Sequence, residues 1–315
     1  MSTQNEADVD WFALASYRTG NAGEVRPALV LDHGRVYDLA GTRDALGHAD
    51  AALTGSVADL LDDWPRTLGA LRSLAAAAHA RPEALTEIPE GADRLAAPYR
   101  PARIFAATSN YVDHADEMGT VLAAKADSRP YVFMKADSSV IGPGEAVELP
   151  DSSEQVDWEV ELAAVIGTGG RHITVDDALD HVVAYTIIND VSARDLNLRD
   201  DFPFKFDWFR GKCFDTFAPL GPWLVPAGCM PDPQSLGLRL AVNGEVMQDA
   251  KASEMIFTIA EQIAYLSGIL TLRPGDLIAT GTPDGVGMGR GVYLRSGDVM
   301  RAEIESIGVL ENPVR

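Results

Sequence analysis

The stretch Val156–Gly167, VDWEVELAAVIG, sets Asp157, Glu159 and Glu161 at alternate positions, with Trp158, Val160 and Leu162 between them. Alternation with period two marks a β-strand, whose successive side chains point to opposite faces. One face is then apolar, and the other carries three carboxylates a few ångströms apart. No Lys or Arg is interleaved, so the like charges repel unless a cation from elsewhere sits among them.

The partner for this face lies downstream. HVVAYTIINDVSARD (181–195) reads as a buried strand that leaves the core at Asn189 and Asp190. Two same-face glutamates and an aspartate from a neighbouring strand form an oxygen-only donor set suited to Mg²⁺, Mn²⁺ or Ca²⁺. Three protein ligands leave room for water and substrate oxygens, which is the character of a catalytic ion.

The rest of the chain bounds this reading. Its 315 residues carry a formal charge of −21, which repels nucleic acid phosphates and excludes that class of partner. No apolar run approaches the length of a membrane span. The opening MSTQNEADVD is polar and acidic, unlike a secretory leader. Two cysteines, Cys213 and Cys229, are too few for a disulfide framework, so a reducing cytoplasm is expected. Neither a Walker GK[ST] nor a Rossmann fingerprint occurs, so no nucleotide cofactor is expected, and there is no Gly-x-Ser-x-Gly elbow.

Residues 1–98 read as an accessory domain. RPALVLDHGRVYDL forms short strands with a turn at His33–Gly34, and helices follow around SVADLLDDW and TLGALRSLAAAAHA. Residues 99–315 form a second domain of short apolar stretches bounded by Gly and Pro, which predicts a mixed α/β, β-rich fold with long loops. One helix interrupts it, SEMIFTIAEQIAYLSGIL, with Ile256, Ile259, Ile263 and Leu266 as its buried stripe.

Two further constellations carry chemistry. In NYVDHADEMG, His114 and Glu117 are three apart on a short helix ended by Gly119 and therefore share a face. A carboxylate beside imidazole fixes its tautomer and supports it as a general base. In ATGTPDGVG, the backbone and hydroxyls of Thr280, Gly281 and Thr282 form a nest suited to a carboxylate.

VDWEVELAAVIG, YTIINDVSARD, RGKCFDTFAPLGPW, VNGEVMQD and GDLIATGTPDGVG occur in the order seen in the fumarylacetoacetate hydrolase family, which residues 100 to 315 resemble. The resemblance implies a catalytic domain of rolled mixed sheets. It implies Mg²⁺ or Mn²⁺ on Glu159, Glu161 and Asp190, with His114 and Glu117 on a lid that activates water. TVLAAKADSRP supplies the hinge of that lid. Lys212 is implied to hold the substrate enolate. Lys135, Arg194, Gln248 and Thr282 are implied substrate contacts, as is Asn197, where the family often has Gln. IFAATSNY lacks the extra carboxylate that the larger fumarylacetoacetate-cleaving enzymes place before this histidine, so the site resembles the smaller acylpyruvate-cleaving branch.

The activity so implied is hydrolysis of a C–C bond in a 2,4-dioxo acid of acylpyruvate, fumarylpyruvate or 2,4-diketo-3-deoxy sugar acid type. Oxaloacetate-type decarboxylation and 2-hydroxyhepta-2,4-diene-1,7-dioate-type isomerisation are the alternatives, because all three pass through an enolate. A binding protein that keeps the fold without turnover is a third reading, opposed by the joint retention of the acidic trio, the dyad and Lys212. A homodimer is expected by the same resemblance, with a small dicarbonyl acid as ligand and no membrane partner.

Overall fold

The computed structural model describes residues 11–20, 23–48, 50–89, 94–117, 119 and 121–315. The acidic decapeptide at the N-terminus, the start of the segment linking the two expected domains, and Thr120 of the hinge lie outside the described residues.

Val160–Ile166 is buried at every position because it runs through the middle of an eleven-stranded sheet. It pairs antiparallel with Val182–Asn189 on one side and with Leu277–Ala279 on the other. Val160, Leu162, Ala164 and Ile166 enter one apolar cluster, and Ala163 and Val165 enter a second on the opposite face. A strand covered on both faces has few places for charge, so the expected carboxylate face is confined to its first turn out of the core.

The uninterrupted strand expected from residue 156 is not observed. Val156–Asp157 pairs with Ser192–Ala193, the chain then leaves the ladder at Trp158 and Glu159, and pairing resumes at Val160. The backbone groups released by this break are met by side chains. Glu159 N–H donates to Asn189 Oδ1 at 2.9 Å, and Val160 N–H donates to Gln248 Oε1 at 3.0 Å. The break turns Asp157 away from the Glu159–Glu161 face.

Nine strands of the sheet follow one path: Arg35–Asp38, Glu24–Leu31, Ala13–Thr19, Ala218–Pro226, Val182–Asn189, Val160–Ile166, Leu277–Ala279, Ile104–Thr108 and Tyr131–Lys135. The expected N-terminal hairpin is present, its turn centred on Asp32 and His33, both in the left-handed region at φ 49 and 59°. Residues before 98 share the sheet with the rest, because Leu14 in Ala13–Thr19 pairs with Leu224. They also share a core: Leu71 and Leu74 of the helix Trp64–Ala80 lie in one cluster with Val165, Ile188 and Leu224.

A smaller four-stranded sheet, ordered Glu245–Lys251, Gly237–Val242, Val299–Ile304 and Gly308–Pro313, packs behind the main one. Among the described residues no helix is long and apolar enough to cross a membrane. The helix expected from residue 253 begins only at Ile259, and Ile256 lies ahead of it and half buried. Thr258 and Glu261 form a capping box that fixes this start. The Thr258 hydroxyl accepts from Glu261 N–H, and the Glu261 carboxylate accepts from Thr258 N–H. Thr258→Ala should therefore cost about 1 kcal/mol of stability, read as a shift of the denaturation midpoint at unchanged slope.

Candidate metal centre

The strand break delivers Glu159 and Glu161 to the mouth of the sheet, and Asp190 follows the end of Val182–Asn189. One ligand atom from each lies within 4.8 Å of the others, and all three residues are buried. The sequence placed this trio together, and the fold does so.

Three cations surround it. Lys135, the last residue of Tyr131–Lys135, donates from Nζ to Asp190 Oδ1 at 2.5 Å and to Val191 O at 3.2 Å. Lys212, at the end of the helix Trp208–Lys212, donates at 2.7 Å to both Glu159 Oε2 and Asp190 Oδ2. Its Nζ also sits 5.1 Å from the Phe133 ring centre, and Phe133 stacks on Trp208. Arg194 reaches Asp157 Oδ2 through Nε at 2.9 Å and places Nη2 2.5 Å from Glu159 Oε1. The second contact is off hydrogen-bond alignment, so it acts mainly through charge.

The charges do not cancel. Four buried carboxylates, Asp157, Glu159, Glu161 and Asp190, face three buried cations, Lys135, Arg194 and Lys212. Glu161 is the one left over. Its Oε2 accepts from Gly281 N–H at 2.8 Å, while its buried Oε1 has no hydrogen-bond partner among the described residues. Burial, with Asp190 and Glu159 adding to it, holds the Glu161 carboxyl well above the ordinary carboxylate range. At Glu159 burial pushes the same way, but Arg194 and Lys212 outweigh it and the carboxyl is held below that range. An orphaned carboxylate oxygen facing two further oxygen ligands fits a hard divalent cation.

The dyad lies on Val112–Glu117, with His114 buried and its Nδ1 3.8 Å from Glu117 Oε2. That distance exceeds hydrogen-bond reach. Glu117 is instead anchored by Gly285 N–H, at 3.2 Å to Oε1 and 3.0 Å to Oε2. Burial alone would raise the Glu117 carboxyl, but His114 and the N–H groups of Gly285 and Val286 bring it below its usual value. Gly289 is required here for space, because a Cβ would stand 2.2 Å from Glu117 Cγ. Asn110 fixes the start of the segment by donating to Thr280 O at 2.7 Å and Phe257 O at 2.9 Å. Between this helix, residues 121–129 and Ile256–Phe257 lies a cavity of about 490 Å³.

Gln248 and Thr282, also implied as substrate contacts, have structural partners. Gln248 Nε2 donates to Thr282 Oγ1 and to Pro283 O, both at 2.9 Å, and Thr282 Oγ1 donates to Val160 O at 2.9 Å. The Thr280 hydroxyl donates to Leu162 O at 2.7 Å. The nest of threonines and glycine therefore grips the metal-site strand in this structure. Asn197 is buried with Oδ1 unpaired among the described residues, packed against Gly211, where a Cβ would come within 1.7 Å of that oxygen. The roles of Asn110, Gly285 and Gly289 were not read from the sequence, although Asn110 lies in NYVDHADEMG and Gly285 in ATGTPDGVG.

Glu161 carries a stability penalty that follows from the charge count. Its raised pKa means that it favours the folded state at low pH and loses that contribution as pH rises through the folded value. Glu161→Gln keeps the acceptor for Gly281 N–H and removes the unpaired charge. The variant should melt higher than the metal-free wild type, by about 1–3 kcal/mol at pH 8 and by less at pH 5. It should also lose the thermal shift that Mn²⁺ gives the wild type.

Residues 103–315 match the family described as fumarylacetoacetate (FAA) hydrolase C-terminal. The chain is 40% identical over 268 residues to oxaloacetate tautomerase FAHD2A, mitochondrial, of Homo sapiens, a span of 84% of this chain and 81% of that protein. Among solved structures it resembles a fumarylacetoacetate hydrolase from Exiguobacterium antarcticum at 33% identity and TM-score 0.76, covering 96% of this chain and 99% of that one. It also resembles maleylpyruvate hydrolase from Sphingobium sp. SYK-6, solved with manganese(II) and pyruvate, at 28% identity and TM-score 0.70, covering 96% and 98%.

Proposed function

The chain belongs to the fumarylacetoacetate hydrolase family and is an enzyme of that family, and from this premise we propose that it tautomerises oxaloacetate or a closely related 2-oxo dicarboxylate. The observation that carries the choice of reaction is the 40% identity, over 84% of this chain, to a protein named for oxaloacetate tautomerisation. The hydrolysis expected from the motifs becomes the second reading. It is supported by the buried His114 beside Glu117 and by the likeness to a maleylpyruvate hydrolase.

Glu159, Glu161 and Asp190 would hold Mg²⁺ or Mn²⁺, which when bound supplies Lewis-acid stabilisation of negative charge on the 2-oxo oxygen. The chain's own residues do the rest. Enol and keto forms differ only in where one proton sits: it leaves the enol oxygen as a proton is added at C3. In this reading His114 would hold and deliver the C3 proton, supported by its burial beside Glu117, which Gly285 N–H anchors. Arg194 and Lys212 hold Glu159 in its charged form, and Lys135 and Lys212 pair with Asp190, in a site with almost no solvent exposure. Hydrolysis would use the same base on a water.

The proposal is tested by following the ultraviolet absorbance of enol oxaloacetate with Mn²⁺ and with EDTA. The enzyme should speed its decay above the spontaneous rate, and His114→Ala should lower the enzymatic rate by about two to four orders of magnitude. If enol decay is not accelerated while a 2,4-dioxo acid loses absorbance under the same conditions, the hydrolase reading takes its place.

We further propose a homodimer. Leu198, Phe202, Phe204, Phe206 and Phe209 are all more than half exposed, an amount of apolar surface that a soluble chain rarely leaves in water. Light scattering should give twice the chain mass of 33.8 kDa. A reducing compartment such as the cytoplasm suits the two free cysteines, Cys213 and Cys229.

A further inference from the structure

Asp157 is the fourth buried carboxylate of the cluster, and it is fully occupied away from the metal trio. Its Oδ1 accepts from Trp158 N–H at 2.7 Å and from Gly287 N–H at 2.6 Å. Its Oδ2 accepts from Arg194 Nε at 2.9 Å and from Met288 N–H at 2.9 Å. Four donors saturate it, and two of them are backbone groups of the loop that anchors Glu117 through Gly285. Trp158 ties down the same loop by donating from Nε1 to Gly285 O at 3.1 Å.

Arg194 is thus shared between two carboxylates. One edge of its guanidinium is hydrogen-bonded to Asp157, and the remainder lies against Glu159 without alignment. A guanidinium free to choose forms a bidentate, aligned pair with a single carboxylate. Here Asp157 prevents that choice. We infer that Asp157 is a positioning residue that limits Arg194 to a one-nitrogen contact with Glu159 and so keeps Glu159 easier to recruit as a metal ligand.

Loss of Asp157 hands the whole guanidinium to Glu159. The ligand then becomes half of a closed ion pair, and a cation must break that pair to bind. The effect of Asp157 on metal affinity therefore runs through Arg194, which a purely structural role would not require. The inference rests on the metal-site reading above and not on the choice of reaction.

The test is Mn²⁺ binding to the full chain without substrate, followed by calorimetry or by loss of the free-ion electron paramagnetic resonance signal. Asp157→Asn should weaken binding by about 10- to 100-fold, the range for residues that orient metal ligands. Removing Arg194 takes away a positive charge and should tighten binding in any background. The gain from Arg194→Gln should be larger in the D157N background than in the wild type. Equal gains in the two backgrounds would mean independent charges and would overturn the inference, as would wild-type affinity in D157N. Melting of the metal-free variants reports folding. If D157N is insoluble, Asp157→Ser keeps a hydroxyl acceptor for the loop N–H groups and carries the same expectations. Failure of the wild type to bind Mn²⁺ would instead overturn the metal-site reading itself.

Discussion

A buried carboxylate that no residue neutralises governs how this molecule is built. Burying charge is costly unless each ion finds a partner, and Lys135, Arg194 and Lys212 supply partners for Asp190, Asp157 and Glu159. Among the described residues, Glu161 receives only the Gly281 N–H. The sheet nevertheless places it at a fully buried position of its central strand, where an alanine or valine would cost nothing. Sequences seldom retain such an expense without a ligand to offset it. The mismatch of one charge locates the site more sharply than the cluster of acids does.

Most of the polar atoms around this centre are spent on holding the strand that carries it. Gln248, Thr280 and Thr282 all bond the backbone of Val160–Ile166, and Asn189 satisfies the N–H released where the ladder breaks. The loop Gly285–Met288 serves two sides at once, giving one N–H to Glu117 and two to Asp157. Glu117, beside His114, and Asp157, which shares Arg194 with Glu159, thus hang on one stretch of backbone. A displacement of a few tenths of an ångström in that loop would be felt at both, which accounts for glycine at 289, where any side chain would strike Glu117.

The segment that brings Lys212 to the centre begins at the surface. Phe206 stacks on Trp208, Trp208 on Phe133, and the Lys212 ammonium lies over the Phe133 ring. An apolar stack of this kind lowers the local dielectric around the lysine and strengthens its attraction to Glu159 and Asp190. The N-terminal ninety or so residues contribute differently. Their strands extend the main sheet past Ala218–Pro226, and their helices cover one face of it, so the central strands stay dry without supplying a ligand.

What the sequence determined by itself was which acidic side chains come together. Period-two alternation put Glu159 and Glu161 on one side, a buried run ended at Asp190, and three-residue spacing joined His114 to Glu117. These are local regularities, and local geometry is enough to read them. The break in the strand at Trp158 and Glu159 was hidden, because alternation of side chains looks the same whether or not the backbone stays in the ladder. Only the tertiary structure decided that Asp157 faces Arg194 and that Gln248 and Thr282 brace a strand. Each of those outcomes depends on which buried donor meets which acceptor across tens or hundreds of residues. No spacing along the chain encodes that; it is fixed when the packed core leaves each polar group a single partner within reach.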